Sequence, residues 1–372
     1  MPDTDFLLNK TTIPDRAPTP LYPITRQTKI QAMTDEYADA VKEAAARIRA
    51  TVPADLVEKF AAAGGITRDD FVRCAPAASG EVCAIDGSNV VLLESGSLAL
   101  AAVRAAQATF SGTERSRRSL TPLKFALIGP GAENTDFAEL YAECFGELPG
   151  TPLKNDDREK AAGVLRDTLE YWVAEQMAQS LGTGALLLRD GPLRVSHASH
   201  DVVLERIARA CQKKAIGLAG VSKSTTATWG GGHPLLPSVN GLADRFGIPA
   251  PWWVRIDPET LDHAQFPRWQ HGQMYVAKLH PRARSPLKID LAKELGDAEV
   301  RSVLDRLAAC SGDGRVPGYP YPLFDAHRTV VITKELSGQI QSGLLSGIAA
   351  AGIDRQTYEI LFGDYHDEFA RY

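Results

Sequence analysis

The chain has 372 residues, and 41 Lys and Arg against 46 Asp and Glu give a formal net charge of −5, which excludes a generally basic nucleic-acid coat. At 44% apolar and 23% charged residues the composition is that of a globular protein with one large core or two modest ones, not of a disordered chain. No window approaches the ~20 apolar residues of a membrane helix, and the first residues, MPDTDFLLNKTTIPDR, lack the apolar centre of a signal peptide, so a cytoplasmic protein is expected.

Residues 1 to 28 carry five prolines and several Thr and Asp turn formers and are expected to form an extended arm. Lys29 to Ala63 reads as two helices separated at Pro53, carrying Tyr37, Val41, Ile48, Leu56 and Phe60. After Gly64-Gly65 the pattern switches to strands: Glu81 to Asp86, ending at Asp86-Gly87-Ser88, then a second run from Asn89 to Leu93. Ser97 to Phe110 is ambiguous in pattern and is expected to complete the sheet as a strand; Leu123 to Ile128 follows it, in an antiparallel meander. Asp156 to Leu181 reads as a long amphipathic helix, and Ala185 to Leu188 as a buried strand running into Arg189-Asp190-Gly191-Pro192. Beyond it come a helix at Asp201 to Lys214, a strand at Ala215 to Val221 and a loop at Trp229-Gly-Gly-Gly-His233. Strands at Trp252 to Ile256, Met274 to His280 and Leu287 to Leu291, a helix at Ala298 to Ala309 and a last helical region through His327 complete a mixed α/β chain.

The five cysteines are scattered and form no C-x-x-C pair, and the eight histidines offer no H-E-x-x-H, so a bound metal would be held mainly by carboxylates. Two apolar strands end on Asp-Gly, at Asp86 and at Asp190. Asp-Gly is ordinary turn chemistry. A carboxylate at a buried strand end beside a glycine is equally a place for a divalent cation. The helix before Asp190 offers Glu170 and Glu175 as a third acid, each on a flank of its apolar stripe, and spacing does not choose between them. His327 lies on a helical stripe with Leu323, Phe324, Val330 and Val331, as a core histidine or as a ligand. Lys223 follows an apolar strand, where it is a surface lysine or a phosphate contact. Lys278, His280, Arg282, Arg284 and Lys288, near Trp269, form a basic run that suits either an edge strand or single-stranded DNA. There is no phosphate-binding G-x-x-x-x-G-K-[ST] loop and no G-x-S-x-G elbow.

In order along the chain stand CAIDGS at Cys83 to Ser88, LLLRDGPL at Leu186 to Leu193, GVSKS at Gly220 to Ser224, YVAKLHP at Tyr275 to Pro281 and GYPYPLFDAH at Gly318 to His327. With these five blocks the chain resembles the NurA family of DNA-end-processing nucleases from about residue 80 to 335. The resemblance implies an RNase H-like mixed sheet core flanked by helices, with residues 1–75 as an arm and helical extension and 76–372 as the nuclease domain. It also implies manganese-dependent single-strand endonuclease and 5′-to-3′ exonuclease activity on DNA. A homodimer is implied, working beside a HerA-type hexameric ATPase in repair or anti-phage defence; residues 1 to 63, where no block aligns, are either a docking element for that ATPase or helices that pack on the nuclease domain or form the homodimer. Matched residue by residue, Asp86, Glu170, Asp190 and His327 are the metal ligands, with Lys223 and Tyr319 on the phosphate. Arg189 departs from the pattern, because such strands stay apolar before the aspartate. Clustered carboxylates repel one another, and Mn²⁺ or Mg²⁺, as two ions, relieves that repulsion and activates water. The rivals are a catalytically inert RNase H-like scaffold that binds DNA, and another phosphoryl-transfer enzyme on the same fold.

Overall fold

The computed structural model describes residues 35–50, 55–77, 80–96, 98–129, 132–154, 156–262 and 270–362. The expected arm at residues 1 to 28, together with Pro53 and Trp269, lies outside them. The chain divides into two compact units, Met1–Ala54 and Asp55–Tyr372. In the first unit, helix α1 (Asp35–Ala50) is rich in alanine and carries an Arg47–Glu43 pair one turn apart.

The second unit begins with helix α2 (Leu56–Gly64) and the short strand β1 (Val72–Arg73). A ten-stranded sheet forms its centre. Strands β2 (Glu81–Glu94), β3 (Ala99–Ser111) and β4 (Glu114–Leu120) form the antiparallel meander, and β5 (Lys124–Ile128) pairs with the first half of β3. The expected strand over Ser97 to Phe110 is therefore present. Helices α3 (Ala132–Phe145) and α4 (Arg158–Ser180) lead to β6 (Leu186–Asp190), which lies parallel to β2, with Ala84 opposite Leu188 and Ile85 opposite Arg189. Helix α5 (Asp201–Lys213) crosses to β7 (Gly217–Ser222), parallel to β6. An antiparallel meander followed by parallel strands added beside its first member is the expected RNase H-like arrangement.

The sheet continues past β7 through antiparallel β12, β11, β10 and β1. Before them come the small hairpin β8 (Thr228–Trp229) and β9 (His233–Pro234) and helix α6 (Leu235–Arg245). Strands β10 (Trp252–Arg255), β11 (Gly272–Lys278) and β12 (Leu287–Ala292) are followed by helices α7 (Asp297–Ala309), α8 (Tyr321–Val330), α9 (Lys334–Ala350) and α10 (Arg355–Phe362).

Side chains alternate across the central strands, so each strand serves two cores. Cys83, Ile85, Leu187 and Leu218 face a core built with α3, α4 and α5. Val82, Ala84, Leu186, Leu188, Ala219 and Val221 face the opposite core, covered by α7 and α8. Helix α4 is buried on most of its circumference, including Asp167, Thr168, Glu170 and Tyr171, because α3 and α5 enclose the side turned away from the sheet. A third core joins α2 and α6 over β10 and β11, where the rings of Phe60 and Trp229 lie 4.9 Å apart.

Candidate functional site

The two Asp-Gly pairs differ in their setting, and only the second is a turn. Asp86-Gly87-Ser88 is not a strand end: β2 runs unbroken from Glu81 to Glu94. Asp190, in contrast, is the last residue of β6, and Gly191 turns there with φ +113, a conformation that favours glycine. Because β2 and β6 are parallel and in register, Asp86 and Asp190 reach the same level of the sheet. The alternation that puts Val82, Ala84, Leu186 and Leu188 under α7 and α8 puts both aspartates on that same face.

Helix α8 delivers His327 to them. Arg104 donates from Nε to the Val330 carbonyl at 2.7 Å and from Nη2 to the Val331 carbonyl at 2.8 Å, and Arg115 pairs with the buried Asp325 at 3.1 Å. These contacts fix both the end and the middle of the helix on β3 and β4. His327 Nδ1 lies 2.7 Å from Asp86 Oδ2. An ionised carboxylate only accepts, so the imidazole N–H donates. One ligand atom from each of Asp86, Asp190 and His327 lies within 4.8 Å of the others, a group that could hold a metal ion.

Lys223 and Tyr319 complete this face. Lys223 Nζ is 2.5 Å from Asp190 Oδ2 and 5.4 Å from the centre of the Tyr319 ring. Burial, with the Asp86 charge, pushes the Asp190 carboxyl up, and Lys223 opposes the shift. The Tyr319 hydroxyl is buried beside the same carboxylate without a well-angled hydrogen bond. Burial and the charges of Asp190 and Asp86 push its phenol strongly up, so it remains a protonated donor. A crowded carboxylate pair with an imidazole, one ligand atom of each within 4.8 Å of the others, fits a divalent cation with oxygen and nitrogen ligands.

Glu170 stands on the other face of the sheet, outside this three-residue group. Gly87, the residue after Asp86, and Arg189, the residue before Asp190, therefore address the opposite face, where α4 lies. Arg189 is buried; its Nε and Nη2 lie 3.0 and 2.9 Å from Glu170 Oε2, its Nη2 3.2 Å from Asp167 Oδ1, and its guanidinium 4.8 Å from the Tyr171 ring centre. Arg166 meets Asp167 at 2.7 Å and Glu170 at 3.3 Å, and Ser196 Oγ donates to Asp167 at 2.7 Å. Burial pushes the Glu170 carboxyl up to about 7 against the pull of Arg189, whereas Asp167, buried too, is held down by Arg189, Arg166 and Ser196. Glu175 pairs instead with Arg206 at 2.9 Å, on the side of α4 that meets α5. Neither acid is a solvated flank, because α4 has almost no solvated side.

The basic run does not form one strip. Lys288 is buried and paired with the buried Asp290 at 2.5 Å, and Asp290 accepts from the Leu193 N–H, fastening the loop after Asp190. Lys278 donates to Asn240 at 3.1 Å, and only Arg282 and Arg284 are exposed. Strand β12 is buried on both faces, Lys288 included, against the expectation of a DNA-facing side chain. Asp167, Asp290 and Arg104 gave no motif in sequence, and Asp325 stood within the GYPYPLFDAH block without being singled out; the signal for the first was its place three residues before Glu170, on the same helix face.

The fold is RNase H-like, and the cluster is a carboxylate–imidazole group that could hold a metal ion. Residues 80–228 match the family model of the NurA domain, so the resemblance read from the sequence is borne out over that span. The crystal structure of the NurA nuclease from Sulfolobus solfataricus shares the fold, with a TM-score of 0.54 at 13% identity over 86% of this chain and 98% of that one. A second NurA crystal structure gives 0.49 at 8% identity over 79% and 94%. A third, of NurA bound to dAMP and manganese, gives 0.44 at 7% identity over 79% and 93%. No curated protein matches the chain. Among the described residues no helix is long and apolar enough to cross a membrane.

Proposed function

We propose that the protein is a metal-dependent deoxyribonuclease. The observation that carries this reading is the convergence of Asp86, Asp190 and His327 from three separate elements on one face of the sheet, with Lys223 and Tyr319 beside them. Asp86, Asp190 and His327 would hold Mn²⁺ or Mg²⁺, the imidazole favouring Mn²⁺. When bound, the cation supplies Lewis acidity and an activated water, as one ion or as a pair. The half-exposed Lys223 neutralises a phosphate oxygen, and the Tyr319 hydroxyl donates to it. Clustering carboxylates is unfavourable unless a cation repays it, which argues against an inert scaffold.

The finer reading extends the resemblance to the NurA family: cleavage of single strands internally and from the 5′ end, two copies acting together, and a HerA-type ATPase ring feeding DNA in repair or anti-phage defence. Co-purification with such a ring, with and without residues 1 to 28, tests the partnership. The central test uses end-labelled single-stranded DNA with Mn²⁺. Cleavage is expected to vanish in EDTA and in Asp86→Ala and Asp190→Ala. Undiminished cleavage by both variants overturns the assignment.

A further inference from the structure

A cavity of about 420 Å³ opens where the start of β2, the end of β3, the end of α7 and the start of α8 meet. That volume suits one small ligand. Its walls are largely apolar, with Val82, Phe110, Tyr321 and Pro322 among them, and the Phe110 and Tyr321 rings meet edge to face at 5.5 Å. Arg306, in the same wall, is only 7% exposed. Its Nη1 donates to the Gly184 carbonyl and its Nη2 to the Glu81 carbonyl, each at 2.9 Å, while its buried Nε has no partner among the described residues. Two of the five guanidinium donors are thus bonded, both to neutral carbonyls. No carboxylate of the described residues pairs with Arg306. A buried guanidinium stays charged, and a buried charge without a counter-charge is costly. The other charged residues of the wall, Arg315 and Asp313, neutralise each other at 2.9 Å, with the Arg315 guanidinium 5.0 Å from the centre of the Tyr321 ring.

We propose that this cavity binds a small flat organic anion, its acid group facing Arg306 and its ring lying against Phe110 and Tyr321. The acid group supplies the counter-charge that the fold omits, and the ring covers the apolar wall. Two sources share that chemistry: a nucleoside monophosphate, such as strand cleavage releases, and a free aromatic carboxylate. Tyr321 begins α8, and His327 lies ~9 Å further along the same helix. The cavity is therefore separate from the cation group but shares with it the element that carries the imidazole, and binding in it requires no cation.

Isothermal titration calorimetry of the full chain in EDTA, with dAMP and with benzoate, tests the site in the absence of metal and of cleavage. At least one of the two is expected to bind with a Kd of about 1 mM or tighter, and the tighter one identifies the source. 2′-Deoxyadenosine and inorganic phosphate, each carrying one half of the chemistry, should bind at least about tenfold more weakly. Arg306→Gln should weaken binding by at least about tenfold. Gly312 is also in the wall, with nothing within 4 Å of an added Cβ, so Gly312→Leu takes up space there without a clash and should weaken binding by a similar factor. This second variant decides the matter if Arg306→Gln does not fold. Absence of binding by both dAMP and benzoate overturns the proposal. So does equal affinity for 2′-deoxyadenosine, or an unchanged Kd in either folded variant. Binding of dAMP that is lost in Lys223→Ala but kept in Gly312→Leu places the nucleotide at the cation group and overturns it too.

Discussion

Replacing Gly87 by alanine separates steric crowding from strand propensity. In a strand interior alanine is intrinsically better than glycine by about 0.5–1 kcal/mol, so a neutral site would be stabilised. Here the new methyl would meet Glu170 Oε1 at 2.4 Å, Arg166 Cγ at 2.6 Å and Glu170 Cγ at 2.8 Å. The carboxylate must retreat by about 1 Å to reach ordinary contact, but Arg189 and Arg166 hold it on both oxygens. Overpacking of this kind costs about 1–3 kcal/mol, and partial rupture of the buried ion pair adds to it. A net loss of about 2–4 kcal/mol, or roughly 4–8 °C in Tm at about 2 °C per kcal/mol for a chain of this size, is expected in thermal unfolding. Gly163, in the same α4, has nothing within 4 Å of an added Cβ, so Gly163→Ala should raise stability by up to about 1 kcal/mol. Equal Tm for wild type and Gly87→Ala, with Gly163→Ala stabilised, refutes the steric argument.

Removing Arg104 as Arg104→Ala deletes both donors to the end of α8 and should cost about 2 kcal/mol in denaturant unfolding. It should also weaken Mn²⁺ binding by loosening His327, and an unchanged titration would show that α8 is held without it. His200 is fully buried against Thr168, and burial pushes its imidazole down from 6.5 to about 3. It stays neutral when folded and takes a proton when unfolded below pH 6.5, so its stabilisation is complete above that pH and is lost as pH falls towards 3. The stability of wild type minus that of His200→Gln should therefore decline by up to about 1.4 kcal/mol per pH unit from 6.5 downward. Parallel curves for the two proteins would refute this.

Much of the site was readable because its residues sit on the strongest local signals. Asp190 closes a strand that begins with three buried leucines and precedes a glycine turn, and His327 lies on a clear helical stripe. Asp86-Gly87 misled because the dipeptide that makes turns also occurs where a strand must be approached closely. Glu170 could be placed on α4 but not on a face of the sheet, since helix periodicity says nothing about the parity of a distant strand. Strand β4 escaped notice because ERSRRSL is exposed throughout and has no apolar alternation. Lys288 was misjudged for the converse reason: its partner Asp290 is two residues on, a spacing that looks like ordinary surface charge until the strand is buried on both sides.

The Asp86–His327 pair joins positions 241 residues apart in the chain. During synthesis the meander of β2, β3 and β4 can form from local contacts as soon as it emerges. Asp190 joins it when β6 docks, but the imidazole arrives only with α8, close to the end of the described chain. A ribosome-bound or truncated fragment therefore carries the two aspartates without His327 and without Tyr319. Completeness of the polypeptide is thereby a precondition for a complete site, an advantage for a protein whose activity would be hazardous to the cell that is making it.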